Sequence, residues 1–510
     1  MRNAMLITQP LRSFDRDLWI LVALAIAKLA FHVATDGEYG FHRDELQTLS
    51  DARHLDWGFV AYPPLTPFFG RIELLLFGTS LTGFRFLPAL GQSIAFVIIG
   101  LMARRLGGSL AAMLAAAFAA ALAPVSLSGS TLMMYVSFDY LWYVLLAYFV
   151  ICRIVSGDAR WWLAIGAAVG LGMMTKYTMA FFAMGLAAGV LFTPWRKDLR
   201  SRWLWLGLGL SVLIFLPNLV WQIRHDFITL DFLKFIHARD VRIGRADGFW
   251  IDQINNISTN LLTLPLWLLG LCCAFFGAQG RFRILGWMAV VPVVIFALTQ
   301  GRAYYTAPLY PMLFALGAVV LQRWLSERQS PALRRVAWSG VTLLLLAATV
   351  VVPVVLPLVP VNSAHWPFVN RMNGDFREEF GWPELANEVA RIWNSLAPEE
   401  QAHAGIWASN YGEAGALGLY GPSHGLPQVI SAVNSFWLRG PPRPVPQTLI
   451  VVGAERKDLD KPCTTVELAG HTGNAAHIDN EETKWHPDIF ICRGVRKPLD
   501  ELWPTLVEFG

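Results

Sequence analysis

The amino-acid sequence predicts an α-helical polytopic membrane protein with about 11 transmembrane helices and a small C-terminal α/β domain outside the membrane. Only 15% of its 510 residues are charged and 55% are hydrophobic, whereas soluble domains average about a quarter charged. Apolar runs recur along the first 360 residues, and the composition then changes. The net charge of +4, without basic blocks interleaved with aromatic residues, predicts no nucleic-acid partner.

The first apolar run, residues 18–34, is interrupted by Lys28, and no clear small-x-small cleavage site precedes Asp36. We therefore expect a retained first helix rather than a signal peptide. Spans of about 20 apolar residues are expected at 18–35, 86–104, 110–127, 134–152, 161–175, 177–193, 203–222, 260–278, 284–299, 304–322 and 337–357.

The basic residues between these spans fall on one side of the membrane, which the positive-inside rule makes cytoplasmic. They are Arg104 with Arg105, Arg153 with Arg160, Arg196 to Arg202, Arg281 with Arg283, and Arg323 to Arg335. The opposite side receives two long loops, 36–85 and 223–259, and the chain after Pro360. Residues 1–360 are thus predicted to form the membrane domain and residues 361–510 a periplasmic domain.

Short β-like runs alternate with helical patterns after residue 360, which is typical of a small α/β domain. Strands are expected at 405–408, 428–431, 448–452 and 489–492, and helices at 382–394, 412–419 and 499–507. Cys463 and Cys492 are the only cysteines of this region. In an oxidising compartment they could pair, and the sequence leaves that question open.

The first long outer loop contains apolar residues at helical spacing. Leu46, Leu49, Ala52 and Leu55 suggest a helix lying on the membrane surface, and the run from Ile72 to Phe77 suggests a second one.

Asp44 and Glu45 in this loop are adjacent carboxylates just beyond the first span. Adjacent helical residues point about 100° apart, so one would reach a site while the other supports it. A carboxylate here can act as general base for a hydroxyl. The alternative is a solvated pair with no function. Pro63 and Pro64, which come directly after Tyr62, indicate a rigid turn later in the same loop.

Three further ionisable residues lie at the outer ends of expected spans. Asp139 either has a role beside the bilayer or caps its helix. Lys176 and Arg302 are expected on the outer face, where the positive-inside rule disfavours cations. Either cation could hold a lipid phosphate. The alternative for both is snorkelling to lipid headgroups.

Several segments together resemble bacterial proteins of glycosyltransferase family 39, which include relatives of protein O-mannosyltransferases and of the lipid A aminoarabinose transferase and have the GT-C fold. The resemblance covers nearly the whole chain. It is carried by His42 to Leu46, Ala52 to Val60, Tyr62 to Leu65, Thr175 to Tyr177, Leu216 to Gln222, Gly301 to Pro308 and Asn410 to Leu417.

The resemblance implies a polyprenyl-phosphate-linked sugar as donor and Asp44 as the catalytic carboxylate, with inversion at the sugar. It places Asp139, Lys176, Tyr304 and Tyr305 in the donor pocket. Glu45, Tyr62 and Arg302 complete the candidate substrate-binding residues.

The chain departs from the family at one point. Relatives often have an acidic residue and then Lys or Gln before the two prolines, where this chain has Ala61 and Tyr62. Lys176 and Arg302 are then expected to hold the phosphate. No cofactor is predicted, although a divalent metal stays open.

The sequence therefore predicts a glycosyltransferase of the bacterial inner membrane that acts on a periplasmic acceptor: lipid A, another glycan or a protein. The alternatives are a transporter or flippase for a lipid-linked sugar and a non-catalytic membrane scaffold. Transporters commonly show internal repeats, and none is visible in the sequence.

Overall fold

A computed structural model describes residues 11–510 except 246, 256–258 and 278–279. The first ten residues of the predicted membrane domain and parts of the predicted 223–259 loop therefore lie outside the described residues.

Residues 11–356 are almost entirely helical in their described parts. The helices are α1 (Leu11–Thr35), α2 (Arg43–Arg53), α3 (Leu65–Phe77), α4 (Leu81–Phe84), α5 (Phe86–Arg105), α6 (Leu110–Ala121), α7 (Pro124–Thr131), α8 (Tyr135–Ser156), α9 (Trp161–Met173), α10 (Met179–Leu191), α11 (Arg202–Arg224), α12 (Ile228–Arg242), α13 (Phe249–Asn255), α14 (Leu264–Phe276), α15 (Arg283–Leu298), α16 (Tyr310–Glu327), α17 (Pro331–Ala348) and α18 (Val352–Val355). Shorter 3₁₀ turns occupy Pro194–Arg200, Leu261–Thr263, Ala303–Leu309 and Thr349–Val351.

The remainder of the chain mixes strands and short helices. The helices are α19 (Trp366–Met372), α20 (Trp382–Ser395), α21 (Pro398–Gln401), α22 (Tyr411–Tyr420), α23 (Arg456–Leu459), α24 (Glu481–Trp485) and α25 (Leu499–Leu502). The strands are β1 (Ala404–Ala408), β2 (Val429–Ile430), β3 (Thr448–Val452), β4 (Thr465–His471) and β5 (Asp488–Arg493), and 3₁₀ turns lie at Gly374–Glu379, Gly421–His424, Asn434–Arg439 and Trp503–Thr505.

Every predicted span coincides with a helix or a helix pair, and six helices of the described residues are long and apolar enough to cross a membrane. The number rises to eight if the bent pairs α6–α7 and Met179–Leu191 with Pro194–Arg200 each count as one span. Three more predicted spans correspond to shorter apolar helices at Trp161–Met173, Leu261–Phe276 and Arg283–Leu298. The helical membrane fold is thus confirmed, while the count of eleven stays a prediction.

The chain forms two compact units. The first, here called the helical unit, comprises Met1–Thr35, Arg85–Arg224 and His237–Leu356. The second, here called the mixed unit, comprises Asp36–Phe84, His225–Ile236 and Pro357–Gly510. The first outer loop of the sequence prediction therefore clusters with the C-terminal segment.

Glycines allow backbones to touch inside the helical unit. A Cβ at Gly166 of α9 would lie 1.9 Å from the carbonyl oxygen of Gly207 in α11, and one at Gly317 of α16 would lie 1.8 Å from that of Leu266 in α14. Small residues at such crossings let membrane helices approach closely and gain packing contacts. The crossing with α11 fixes α9, whose C-terminal end leads into the Lys176 turn.

The mixed unit contains a five-stranded sheet of order β2-β1-β3-β5-β4. Strand β1 pairs in parallel with β2 and β3, while β5 is antiparallel to β3 and β4. Cys463 and Cys492 form a disulfide that ties the segment before β4 to β5, which answers the question that the sequence left open. Edge strand β4 was not predicted because its side chains are mostly exposed and lack an apolar run.

Helix α2 corrects one expectation. Leu46, Leu49 and Ala52 are fully buried, and polar residues on the other faces of α2 are buried as well. This helix is thus a core element and not one that lies on the membrane surface. In α3, by contrast, Leu75 is 73% exposed while Glu73 is fully buried, the reverse of a water-facing helix.

Candidate functional site

The N-terminus of α2 is held by a reciprocal cap. The His42 side chain accepts a hydrogen bond from the backbone N–H of Asp44, and the backbone N–H of His42 donates to Glu45 Oε2 at 3.0 Å. This is the arrangement of a capping box with histidine in the place of Ser or Thr. Glu45 is fully buried in this role, so its predicted contact with substrate stays a prediction that its placement does not support.

Asp44 differs from its neighbours on α2. Every other residue from Arg43 to Ala52 is buried, whereas Asp44 is partly exposed. Its Oδ1 accepts a hydrogen bond of 2.7 Å from the hydroxyl of Tyr411, the first residue of α22. Helix α2 therefore presents one carboxylate to its surroundings, and this carboxylate has a fixed hydrogen-bond donor.

Arg43 lies among carboxylates of the C-terminal segment. It pairs with Glu481, and its guanidinium lies 3.6 Å from Glu378 and 3.5 Å from Glu482. The same guanidinium stands over the Tyr411 ring, 4.9 Å from its centroid. A guanidinium with several hydrogen-bonding partners is costly to displace, so these contacts anchor the first turn of α2.

Two glutamates of the C-terminal segment, Glu413 of α22 and Glu482 of α24, are shielded from water. Glu413 is fully buried. Burial raises the pKa of Glu413 well above its usual value, and the charge of Glu482 raises it further. Burial also raises the pKa of Glu482 to about 7, against the opposing charge of Arg43. Glu413 therefore favours its protonated form near neutral pH, whereas Glu482 is divided between its two forms there.

Tyr62 is also turned inward. Its hydroxyl donates to Asp51 Oδ2 at 2.7 Å, and Arg439 donates to Asp51 Oδ1 at 3.1 Å. Burial raises the pKa of Asp51 to about 6, while Arg439 opposes that shift. These contacts join the first loop to the C-terminal segment. Substrate binding by Tyr62 stays a prediction, since its hydroxyl has this structural partner.

Lys176 lies in the helical unit, in the turn between α9 and α10. Its ammonium is 4.1 Å from the centroid of the Tyr305 ring, 5.1 Å from that of Tyr304 and 5.0 Å from that of Tyr135. A cation over aromatic faces is stabilised by about 0.5–2 kcal/mol per ring. Three rings therefore surround the predicted phosphate-binding lysine.

Hydrogen bonds on both sides hold the Lys176 turn. The Trp142 indole donates to Thr175 Oγ1 at 2.9 Å. The Tyr177 hydroxyl donates to Asn218 Oδ1 and accepts from Gln222 Nε2, each at 2.8 Å. The motif from Leu216 to Gln222 noted in the sequence thus contains the residues that fix this turn.

Asp139 is buried near the same lysine. It is 2% exposed, and Thr178 Oγ1 donates to its Oδ2 at 3.3 Å. Asp139 and Arg302 both lie within electrostatic range of the Lys176 ammonium. The predicted group Asp139, Lys176, Tyr304 and Tyr305 is thus brought together.

Arg302 has a partner that the sequence analysis did not identify. Its Nε and Nη2 donate to the two carboxylate oxygens of Asp240 at 2.6 and 2.9 Å. Arg239 and Arg245 lie 3.9 and 3.7 Å from the same carboxylate. Asp240 therefore lies within 4 Å of three arginines, Arg302 among them.

The sequence did not indicate the contacts of Asp240, Tyr411 and Arg43, for a different reason in each case. Asp240 sits among alternating charges in a long loop, and nothing in its spacing distinguishes it. Tyr411 is about 370 residues from Asp44 in sequence, although its motif was noted. Arg43 adjoins Asp44 in the segment from His42 to Leu46, and its sequence position alone does not indicate its carboxylate partners.

A divalent metal stays an open prediction. Among the described residues, no group of three or more His, Cys, Asp or Glu side chains is arranged to hold a metal ion.

The chain is similar to one protein family, to individual curated proteins and to solved structures. The family of dolichyl-phosphate-mannose-protein mannosyltransferases matches residues 61–221, a range that includes Tyr62, Asp139 and Lys176 and excludes Asp44 and Arg302. The undecaprenyl phosphate-α-4-amino-4-deoxy-L-arabinose arabinosyl transferase 1 of Pseudomonas fluorescens is 29% identical over 285 residues, 52% of this chain and 50% of the relative. The lipid A galacturonosyltransferase RgtD of Rhizobium johnstonii is 25% identical over 275 residues, 52% of this chain and 56% of the relative. The chain thus matches about half the length of each curated relative.

Solved structures show the same fold. ArnT from Cupriavidus metallidurans in the apo state superposes with a TM-score of 0.60 at 14% identity, covering 93% of this chain and 97% of that one. ArnT bound to undecaprenyl phosphate gives 0.53 over the same shares, also at 14% identity. The resemblance predicted from the sequence is confirmed by these relatives, and the chain has the same fold as the two ArnT structures.

Proposed function

We propose that this chain is a membrane glycosyltransferase that moves a hexosyl or pentosyl group from a polyprenyl-phosphate-linked donor to a periplasmic acceptor. The observation that carries the proposal is Asp44. It is the one partly exposed residue between Arg43 and Ala52 of an otherwise buried helix, and its carboxylate has a fixed donor. A carboxylate kept accessible on a rigid element suits a general base.

Asp44 takes the proton of the acceptor hydroxyl in the proposed reaction. The acceptor oxygen forms a bond with the anomeric carbon, and the bond between that carbon and the phosphate oxygen breaks. Polyprenyl phosphate leaves with the electron pair of that bond, and inversion at the sugar is expected.

The leaving phosphate gains negative charge, which Lys176 and Arg302 are proposed to stabilise. Lys176 offers an ammonium held among tyrosine rings. Arg302 keeps its bidentate contact with Asp240 while Nη1 points toward the Tyr304 hydroxyl at 3.5 Å. The tyrosine faces also suit stacking against a sugar.

The acceptor proposed first is lipid A, because one curated relative is a lipid A galacturonosyltransferase. A glycan or a protein is the alternative acceptor. The remaining sequence predictions belong to the same proposal: eleven spans in the inner membrane, a membrane domain over 1–360 and a periplasmic domain over 361–510.

Transfer in detergent tests this proposal directly. Purified protein is given undecaprenyl phosphate carrying labelled 4-amino-4-deoxy-L-arabinose or galacturonic acid, together with lipid A, an envelope glycan or an envelope protein fraction. We expect label in one acceptor, and turnover without a membrane barrier excludes pure transport. Movement of the donor across vesicles with no transfer to any acceptor would contradict the proposal and favour a flippase.

A further inference from the structure

The first turn of α22 faces the catalytic candidate on α2. Asn410 caps this helix, since its Oδ1 accepts from the backbone N–H of Gly412 at 2.7 Å. The cap fixes the direction in which the helix starts. Tyr411 is therefore the first residue of a rigid element, and its side chain is not carried by a loose loop.

Gly412 and Gly415 let α22 pack closely against α2. A Cβ at Gly412 would lie 3.1 Å from the Cβ of Arg43, and a Cβ at Gly415 would lie 2.7 Å from the backbone of Leu46. The carbonyl oxygen of Gly418 accepts from Arg53 Nη1 at 2.9 Å. The register of α22 on α2 is thus defined at three positions, Gly412, Gly415 and Gly418.

Tyr411 uses this register to make two contacts at once. Its hydroxyl donates to Asp44 Oδ1 at 2.7 Å, and its ring lies under the Arg43 guanidinium. Arg43 is itself held by Glu378, Glu481 and Glu482. Both the ring and the hydroxyl of Tyr411 are therefore constrained, and so is the carboxylate that receives the hydrogen bond.

We propose that Tyr411 is the positioning residue of Asp44, so that the C-terminal segment contributes directly to the chemistry of the first loop. The proposal rests on the proposed glycosyl transfer by Asp44. Tyr411 does not touch the reacting atoms. It holds one carboxylate oxygen so that the side chain keeps a single orientation for proton transfer, and it favours the ionised form that a general base requires.

Tyr411→Phe removes the hydroxyl and keeps the ring over which Arg43 lies. Tyr39→Phe is the matched control in the same unit, because the Tyr39 hydroxyl also makes one short hydrogen bond, 2.6 Å to the carbonyl oxygen of Val359. We expect Tyr411→Phe to lower kcat about 10- to 100-fold with KM for the donor within about twofold of wild type. Tyr39→Phe should leave kcat within about twofold.

A second readout does not depend on activity. Carbodiimide reacts with protonated carboxyls, so peptide mass spectrometry of labelled intact protein across a pH series reports the ionisation of Asp44 itself. Removing a hydroxyl that donates to the carboxylate should move the midpoint for Asp44 labelling up by about one pH unit. The control variant should not move it.

The two readouts separate the two proposals. A raised midpoint together with reduced kcat and unchanged KM supports Tyr411 as a positioning residue. An unmoved midpoint, or an equal shift in the Tyr39→Phe control, overturns it whatever the activity. A raised midpoint in a protein that transfers no sugar retains the link between Tyr411 and Asp44 and contradicts the proposed function alone.

Discussion

The two units of the molecule differ in the charged side chains that they bring together. In the helical unit, Lys176 and Arg302 occur with tyrosine rings, and the single carboxylate of Asp240 is shared by Arg302, Arg239 and Arg245. In the mixed unit, the single guanidinium of Arg43 is met by Glu378, Glu481 and Glu482. One unit thus concentrates cations and the other concentrates carboxylates.

This difference indicates a division of work. Cations among aromatic rings suit an anionic phosphate and a sugar, whereas an accessible carboxylate on a rigid helix suits proton transfer. Variants in the helical unit should therefore change mainly donor binding, and variants around Asp44 should change mainly turnover. The following predictions test that contrast, from the largest expected effect to the smallest.

Lys176→Ala should weaken binding of undecaprenyl phosphate about 10- to 100-fold, since it removes the cation that is proposed to hold the phosphate. Lys197→Ala is the matched control, because Lys197 is exposed and also stands over an aromatic ring, that of Trp195 at 5.8 Å. Thermophoresis with the lipid phosphate measures both affinities. Equal affinities in the two variants would show that Lys176 only anchors the protein at an interface.

Gly415→Ala should lower turnover roughly tenfold and destabilise the protein by about 1–3 kcal/mol, because the added methyl group meets the backbone of Leu46. Gly418→Ala on the same helix meets nothing within 4 Å and should be neutral or stabilising by about 0.5–1 kcal/mol. Transfer rates and thermal unfolding distinguish the two. Equal effects would mean that helix propensity, and not the approach of α22 to α2, determines the result.

Tyr305→Leu should weaken donor binding about three- to tenfold, because it removes the ring closest to the Lys176 ammonium. Tyr305→Phe keeps the aromatic face and should stay within about twofold of wild type. If both variants weaken binding equally, the hydroxyl matters and the ring does not.

Glu413→Gln should change how stability depends on pH. A carboxyl whose pKa is raised in the folded state contributes stability that is fully present below its unfolded pKa, 4.5 for a glutamate, and is lost as the pH rises through the raised folded pKa of Glu413. The neutral amide should therefore match wild type at low pH and unfold about 1–3 °C higher above neutrality. Exposed Glu399 supplies the control, Glu399→Gln, and a parallel pH profile in both variants would contradict the account.

The membrane helices were predictable because their signal is local. Long apolar runs with sparse charge define each helix, and all eleven predicted spans coincide with helices or helix pairs. Four of five strands were predicted for the same reason. The exposed edge strand β4 was missed because its side chains carry no apolar pattern.

The relations between distant segments could not be predicted. Leu46, Leu49 and Ala52 have the spacing of an amphipathic surface helix, yet all three are fully buried, and Gly415 of α22 lies against Leu46. The same contact explains Tyr411, and the pairing of Arg302 with Asp240 also joins residues far apart in sequence. Helical spacing indicates which face is apolar, but it does not indicate what packs against that face.

The most direct measurement compares donor binding and turnover in Asp44→Asn, with Asp56→Asn as the control from an exposed position of the same loop. The account predicts that Asp44→Asn binds undecaprenyl phosphate as wild type does, while sugar transfer falls at least about 100-fold. Asp56→Asn should retain both. Full transfer activity in Asp44→Asn would contradict the assignment of this carboxylate as the general base.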